Sequence, residues 1–255
     1  MIRGQVGQDF STQPQPQSQV VKPDFRVQIN NPKALKAQWD TYKAINIPNL
    51  LPTHVAEEVW DYYYNQPTNW WDLIVWPDPN HDYSNDEEYH MYRTKNDDPT
   101  LPERLNYIRE LNNQGRFSYT YNRKDKEFHP HLSLFQSPEF LKVLEFITGH
   151  ENLIAPLAST FVSNYGPGHY NGPHSDGPNG RIAFVYHLSK DWRPEYGGVF
   201  MRMDDDYTTI NKAVTPKFNT LSMFDVSKNG GAPHLVTEVV EGVNNRRISY
   251  TGWYK

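Results

Sequence analysis

The C-terminal third of the chain constrains the fold most. From about residue 153 onward, short runs of β-branched and aromatic side chains are separated by Gly, Pro and Asn: Ala158–Asn164, Ile182–Leu188, Val199–Met203, Asn219–Phe224, His234–Val240 and Arg247–Trp253. Each run is short and bounded by turn residues. Short strands at near-regular spacing with turn signals build a sandwich or a closed barrel. The sequence predicts a mainly β chain whose jelly-roll-like core occupies about residues 151–255.

The part before it reads as helical support. Pro32 suits a first helical turn, and Leu35, Trp39, Tyr42 and Ile45 recur at helical spacing, so a helix is predicted over 32–47, closed by Pro48. A second starts at Thr53, turns Val55, Val59, Trp60 and Tyr63 inward, sets Glu57 and Glu58 near its positive end and stops at Pro67. Trp70, Trp71, Ile74, Val75 and Trp76 suggest a strand. A Pro-, Asp- and Tyr-rich stretch then runs to Pro99, with the composition of a surface excursion or a binding loop. Helices follow over about 100–113, facing inward with Leu105, Ile108 and Leu111, and over Ser137–Thr148. The latter has Ser137 as N-cap, Pro138 in the first turn and Gly149 as the stop. Residues 1 to about 30, rich in Gln, Pro and Ser, bury little and read as a flexible tail. The expected organisation is that tail, then a single domain over 31–255 with helical support in 31–150.

Composition removes whole classes of function. The net charge of −5 argues against a chain built mainly to hold nucleic acid through its phosphates. The absence of Cys excludes disulfide scaffolds, thiolate zinc fingers, iron–sulfur clusters and a thiol nucleophile. No apolar run approaches the length of a membrane span, and the first residues lack the apolar region of a secretory signal. The expectation is a soluble intracellular protein, cytoplasmic, with neither nucleic acid nor membrane as partner.

No phosphate-binding loop, dinucleotide fingerprint, HExxH or GxSxG occurs. What does occur is His174-Ser175-Asp176, with His234 on a later β-run. In a strand, residues two apart share a face, so an imidazole and a carboxylate aim at one point and a His from a facing strand completes the set. Two His and one carboxylate leave coordination positions open, the arrangement of non-haem Fe(II) oxygenases. The same three ligands also serve a zinc hydrolase. His-x-Asp alone is a weak signal; the wider frame is not. Asp176 is followed by Gly177-Pro178-Asn179-Gly180, then Arg181-Ile-Ala-Phe-Val-Tyr-His187-Leu, Lys190-Asp191-Trp192, Gly197-Gly198, the distal His234, and Arg247-Ile-Ser-Tyr-Thr251-Gly-Trp253-Tyr254.

In that order, over about residues 158–255, the frame resembles the Fe(II)/2-oxoglutarate-dependent dioxygenases, and among them the prolyl hydroxylase (prolyl 4-hydroxylase) branch. The resemblance implies a double-stranded β-helix, the cupin-type jelly roll, with N-terminal helices supporting it. His174, Asp176 and His234 would be the catalytic iron ligands. Arg247 would hold the distal carboxylate of 2-oxoglutarate, to which a planar guanidinium fork is suited. Thr251 and Tyr165 would assist it. Arg181 and Trp253 would line the target-residue pocket. His187 stands where the family often has Tyr, so it either replaces a Tyr–carboxylate hydrogen bond or is a neutral core residue. The implied reaction consumes dioxygen and 2-oxoglutarate, releases succinate and carbon dioxide, is supported by ascorbate, and hydroxylates a prolyl residue in a peptide or protein. A free amino acid or small metabolite is the alternative target, and a non-catalytic jelly-roll binding module the other class.

Three further features read as structural. His129-Pro130-His131 suits a packing or surface role, Asp204-Asp205-Asp206 the tip of a hairpin, and His169 lies in a Gly-Pro-Gly loop. Along the last strand, alternation sets Arg247, Ser249, Thr251 and Trp253 on one face and Arg246 on the other.

Overall fold

The computed structural model describes residues 27–77, 91–155, 157–176, 179–228 and 231–255. Most of the N-terminal tail and residues 78–90 of the acidic, Tyr-containing stretch lie outside the described residues. The described chain forms one curled antiparallel sheet: ten strands lie along the path β1-β10-β7-β12-β5-β4-β6-β11-β8-β9, with β2 and β3 attached beside β4. The strands are β1 Ala44–Pro48, β2 Asp72–Trp76, β3 Tyr92–Thr94, β4 Tyr119–Asp125, β5 Phe161–Tyr165, β6 Tyr170–His174, β7 Ile182–His187, β8 Phe200–Met203, β9 Ile210–Val214, β10 Thr220–Asp225, β11 His234–Val236 and β12 Arg247–Tyr254. Four helices, α1 Pro32–Tyr42, α2 Thr53–Tyr64, α3 Leu101–Asn113 and α4 Pro138–Thr148, accompany the sheet. This is the jelly-roll class with supporting helices. Among the described residues no helix is long and apolar enough to cross a membrane.

Two faces of the sheet do different work. On the outer face of β7, β10 and β12, Phe184, Tyr186, Leu221, Met223, Ile248 and Tyr250 join Trp39, Val59, Tyr63, Phe135, Phe140 and Leu144 in the main core. Burying an aliphatic or aromatic side chain of this kind contributes about 1.5–3 kcal/mol, so the helices clamp the sheet from behind. The inner face carries a smaller cluster, Tyr121, Phe161, Tyr165, Trp192, Val236 and Val239, and leaves a cavity.

Local chemistry explains most element ends. The Ser137 side chain accepts a hydrogen bond from the Phe140 N–H, and Gly149 closes α4 with a positive φ of 74°. The helix predicted over 32–47 stops early. Lys43 turns left-handed (φ 50°) and residues 44–48 become β1, paired with β10. Ile45 and Ile47 are buried because they alternate along a strand, whereas Tyr42, placed on the helical stripe by spacing, is exposed. Pairing with β10 overrides the helical period. Strands also come from the part read as helical support: β1 to β4 all lie before residue 126, and β4 is inserted between β5 and β6.

Candidate active site

The cavity on the inner face has a volume of about 310 Å³. His174, the last residue of β6, stands directly opposite His234, the first of β11. Asp176 lies two residues beyond the end of β6 rather than within a strand, yet its carboxylate reaches both imidazoles: Oδ1 is 3.8 Å from His174 Nε2 and 3.6 Å from His234 Nε2. The three ligand atoms lie within 4.8 Å of one another, the one such group among the described residues that could hold a metal ion.

The tautomers suit that role. His174 Nδ1 is 2.8 Å from the Gly172 carbonyl and His234 Nδ1 is 3.1 Å from the Ala232 carbonyl. A proton donated to a carbonyl from Nδ1 leaves the Nε2 lone pair facing Asp176, the outer-sphere device that orients metal-binding imidazoles. Burial lowers the His174 pKa to about 4, with the neighbouring His234 adding to the effect, so this imidazole is neutral and free to ligate near neutral pH. Burial alone would raise the Asp176 carboxyl. The imidazoles and the Trp253 indole packed around it outweigh burial and hold the group below its ordinary value.

On the strands beside the triad, β12 presents Arg247, Ser249, Thr251 and Trp253 to the cavity. Arg246, on the opposite face, donates from one nitrogen to the carbonyls of Tyr64 and Gln66 at 3.0 and 2.9 Å. Arg247 is buried and makes no ion pair among the described residues. It donates from Nε to the Gly198 carbonyl at 2.7 Å and from Nη1 to Ser249 Oγ at 3.3 Å, and lies 4.8 Å over the Tyr165 ring. Burial lowers its pKa from the ordinary value. A buried guanidinium short of an anion is costly unless a ligand supplies one.

The Gly-Gly step fixes this arginine. Gly198 has φ +62°, and a Cβ there would stand 2.7 Å from Arg247 Cδ; a Cβ on Gly197 would stand 1.9 Å from the Glu238 carbonyl oxygen. Trp192 of the Lys-Asp-Trp segment donates its indole N–H to the Gly197 carbonyl at 2.9 Å, holding the turn.

Not every predicted residue reaches the cavity. The Arg181 guanidinium donates to the carbonyls of Glu151 and Asn152 at 2.8 and 3.1 Å. It ties the start of β7 to the segment after α4 and is absent from the cavity wall. His187 is buried opposite Ser249: its Nε2 lies 3.1 Å from Ser222 Oγ, its Nδ1 has no partner, and burial with Arg247 nearby lowers its pKa to about 3. It is a neutral imidazole on the same inner face as Ser249, buried beside the cavity without forming part of its wall. His129 and His131 pack against each other and face Glu58, and Asp204 to Asp206 form the β8–β9 hairpin tip. His169 is half-buried, with Nδ1 accepting from the Gly166 N–H at 3.1 Å.

Other wall residues come from the supposed helical support. Trp76, Phe117, Tyr119, Tyr121 and Arg123 line the cavity. Phe117 stacks on His174 with centroids 5.1 Å apart, Trp76 stacks on Tyr119, and Tyr121 on Tyr165. The alternation Tyr119-Thr-Tyr121-Asn-Arg123 was the sequence signal for this strand, with a period of two over too few residues to stand out.

Residues 160–255 match the family model described as the 2OG-Fe(II) oxygenase superfamily. Over that stretch the chain is similar to the 2OG-Fe(II) oxygenase domain. Three solved structures are similar to it, two of them at a TM-score of 0.50 or above. A Pseudomonas putida prolyl-4-hydroxylase is 15% identical, with 88% of this chain and 98% of that one covered and a TM-score of 0.50. The non-haem α-ketoglutarate-dependent epimerase SnoN from nogalamycin biosynthesis is 11% identical, covering 88% and 82%, at a TM-score of 0.51. A Trichoplax adhaerens prolyl hydroxylase in complex with a hypoxia inducible factor peptide fragment is 16% identical, covering 88% of each, at 0.46. At such identities the likeness is one of fold. A comparison with curated protein sequences gives no match. The oxygenase domain implies Fe(II), 2-oxoglutarate and dioxygen, and the two-His, one-carboxylate donor set fits Fe(II).

Proposed function

We propose that the protein is a 2-oxoglutarate-dependent hydroxylase acting on a prolyl residue of a peptide or protein. His174, Asp176 and His234 would hold the iron. The metal, when bound, supplies dioxygen activation coupled to decarboxylation of 2-oxoglutarate. The observation that carries the reading is the pairing, in one cavity, of that triad with a buried Arg247 lacking a carboxylate partner. Arg247 fixes the distal carboxylate of 2-oxoglutarate with Ser249, Thr251 and Tyr165 around it, and its fixed charge orients the co-substrate. Tyr165, Phe161 and Trp192 keep water from that end.

For the target, the Lys190-Asp191-Trp192, Gly197-Gly198 and Arg247-to-Tyr254 frame supports the prolyl hydroxylase branch. The wall of Trp76, Phe117, Tyr119 and Trp253 suits a compact apolar ring. Incubation with Fe(II), ascorbate, 2-oxoglutarate and a panel of proline peptides and lysate tests it, read as succinate release and oxygen addition mapped to residues. Oxygen added to prolyl residues supports the reading. Succinate release with oxygen mapped to other groups refutes the prolyl target and keeps the chemistry.

A further inference from the structure

A second cavity opens beside the metal triad, on the side away from Arg247. It has a volume of about 530 Å³ and is lined by Lys43, Arg202 and Lys228 with Asp205 and Asp225; Ser175, between His174 and Asp176, belongs to the walls of both cavities. Its position follows from register. His174 on β6 stands opposite His234 on β11, and His234 stands opposite Arg202 on β8. Directly opposed residues of antiparallel strands share a face, so the row His174, His234, Arg202 crosses three strands on the inner side of the barrel. Arg202 is the next side chain after the triad.

Arg202 is half-buried and makes no ion pair or hydrogen bond among the described residues. The two acids of the cavity do not neutralise it. Asp225 accepts from the backbone N–H and hydroxyl of Ser227 and faces His150 at 3.7 Å, and Asp205 sits at the hairpin tip. Burial lowers the Arg202 pKa from its ordinary value. Among the described arginines only Arg247 shares that shift. Both guanidiniums are thus partly withdrawn from water without a counter-ion, one on each side of the same triad. The oxygenase domain explains the first through its co-substrate. The second lies opposite His234, in a cavity that shares Ser175 with the metal site.

We propose that this side cavity binds a carboxylate of the substrate, with Arg202 as its counter-ion, and that the substrate class is an acidic peptide bearing Asp or Glu next to the oxidised residue. Successive residues of an extended peptide advance by about 3.3 Å, so a neighbouring acidic side chain falls within reach of a group one strand away from the metal ligand. The assignment rests on the oxygenase reading of the adjoining site. Lys43 and Lys228 reinforce the potential at the mouth, which speeds encounter with an anionic partner.

The test is calorimetric titration of the protein, loaded anaerobically with Fe(II) and 2-oxoglutarate, with paired proline hexapeptides carrying Glu or Gln immediately before or after the proline. At least tenfold tighter binding of one Glu peptide than of its Gln partner is expected. Arg202→Gln should bring the pair within twofold and Arg202→Lys should keep most of the preference. Lys142→Gln, exposed on α4 and outside the cavity, should keep all of it. Equal binding of the pair by the unaltered protein, binding of neither, or a preference that survives Arg202→Gln overturns the assignment. Succinate release from 2-oxoglutarate without peptide, measured in parallel, separates the two readings. A protein that releases succinate without discriminating the peptides keeps the oxygenase assignment and loses the anion cavity. One that discriminates them without releasing succinate does the reverse.

Discussion

Gly198 and Arg247 are fitted to each other so closely that a single added methyl group cannot stand between them: a Cβ on Gly198 would lie 2.7 Å from Arg247 Cδ, while the Gly198 carbonyl takes the Arg247 Nε proton at 2.7 Å. The turn that ends the Lys-Asp-Trp segment is therefore part of the mount for the buried guanidinium. Gly198→Ala meets both this contact and a φ of +62°. It should cost about 1–3 kcal/mol in stability and raise the KM for 2-oxoglutarate. Denaturant unfolding and steady-state kinetics check the two effects separately. An unchanged KM in a folded variant would show that Arg247 holds its position without the turn.

Arg246 and Arg247 are adjacent and should fail differently. Arg247→Ala should raise the 2-oxoglutarate requirement on the order of 10- to 100-fold, since hydrogen bonds to charged groups contribute about 1.5–3 kcal/mol. Arg246→Ala removes the donors to the Tyr64 and Gln66 carbonyls and should destabilise the fold by about 1–3 kcal/mol with little change in KM. The reverse pattern would mean that the inward face of β12 is the other one.

Asp176→Ala should abolish succinate release while the thermal unfolding transition stays near that of the unaltered protein. The main core, built around Trp39, Phe135, Phe184 and Tyr250, lies on the opposite face of the sheet from the triad. Turnover at the original rate would remove Asp176 from the ligand set.

Acid should weaken the fold through two imidazoles outside the triad, the buried His187 and the half-buried His169. Burial lowers His187 to about 3 and His169 to about 4, below the ordinary value of about 6.5. Between those limits the unfolded chain binds protons that the native chain does not, so stability rises with pH there, by up to about 1.4 kcal/mol per unit per group. It is lost as pH falls below about 6.5, and the loss levels off once pH drops below the folded values. Urea midpoints at pH 7 and pH 5 should differ accordingly, and His187→Gln should flatten the slope. A midpoint independent of pH over that interval contradicts the burial of both rings.

How much of this was legible depended on the length of the periodic signal. The strands from β5 onward alternate between marked turns, and α4 carries its own Ser137 cap and Gly149 stop, so local chemistry alone places them. The triad, Arg247 and the two faces of β12 follow from ordered motifs and a period of two. Illegible were elements whose conformation is imposed from outside: β1, where pairing with β10 converts an apparent helical stripe into a strand, and β4, whose five-residue alternation carries Tyr121 and Arg123 into the cavity. Arg181 shows the opposite limit. Its place in the motif suggested a pocket residue, but two free carbonyls after α4 engage its guanidinium first.

The insertion of β4 between β5 and β6 has a mechanical consequence. Along the sheet, Arg247 on β12 reaches the ligand strands β6 and β11 only through β5 and then β4. The span from the carboxylate anchor to the metal ligands is thus bridged by a strand that lies outside residues 160–255, the stretch shared with the family model. Drift within Tyr119–Asp125 can retune that gauge while every motif residue stays unchanged, and a fragment beginning at residue 160 would keep the motifs but lose the spacer that sets them apart.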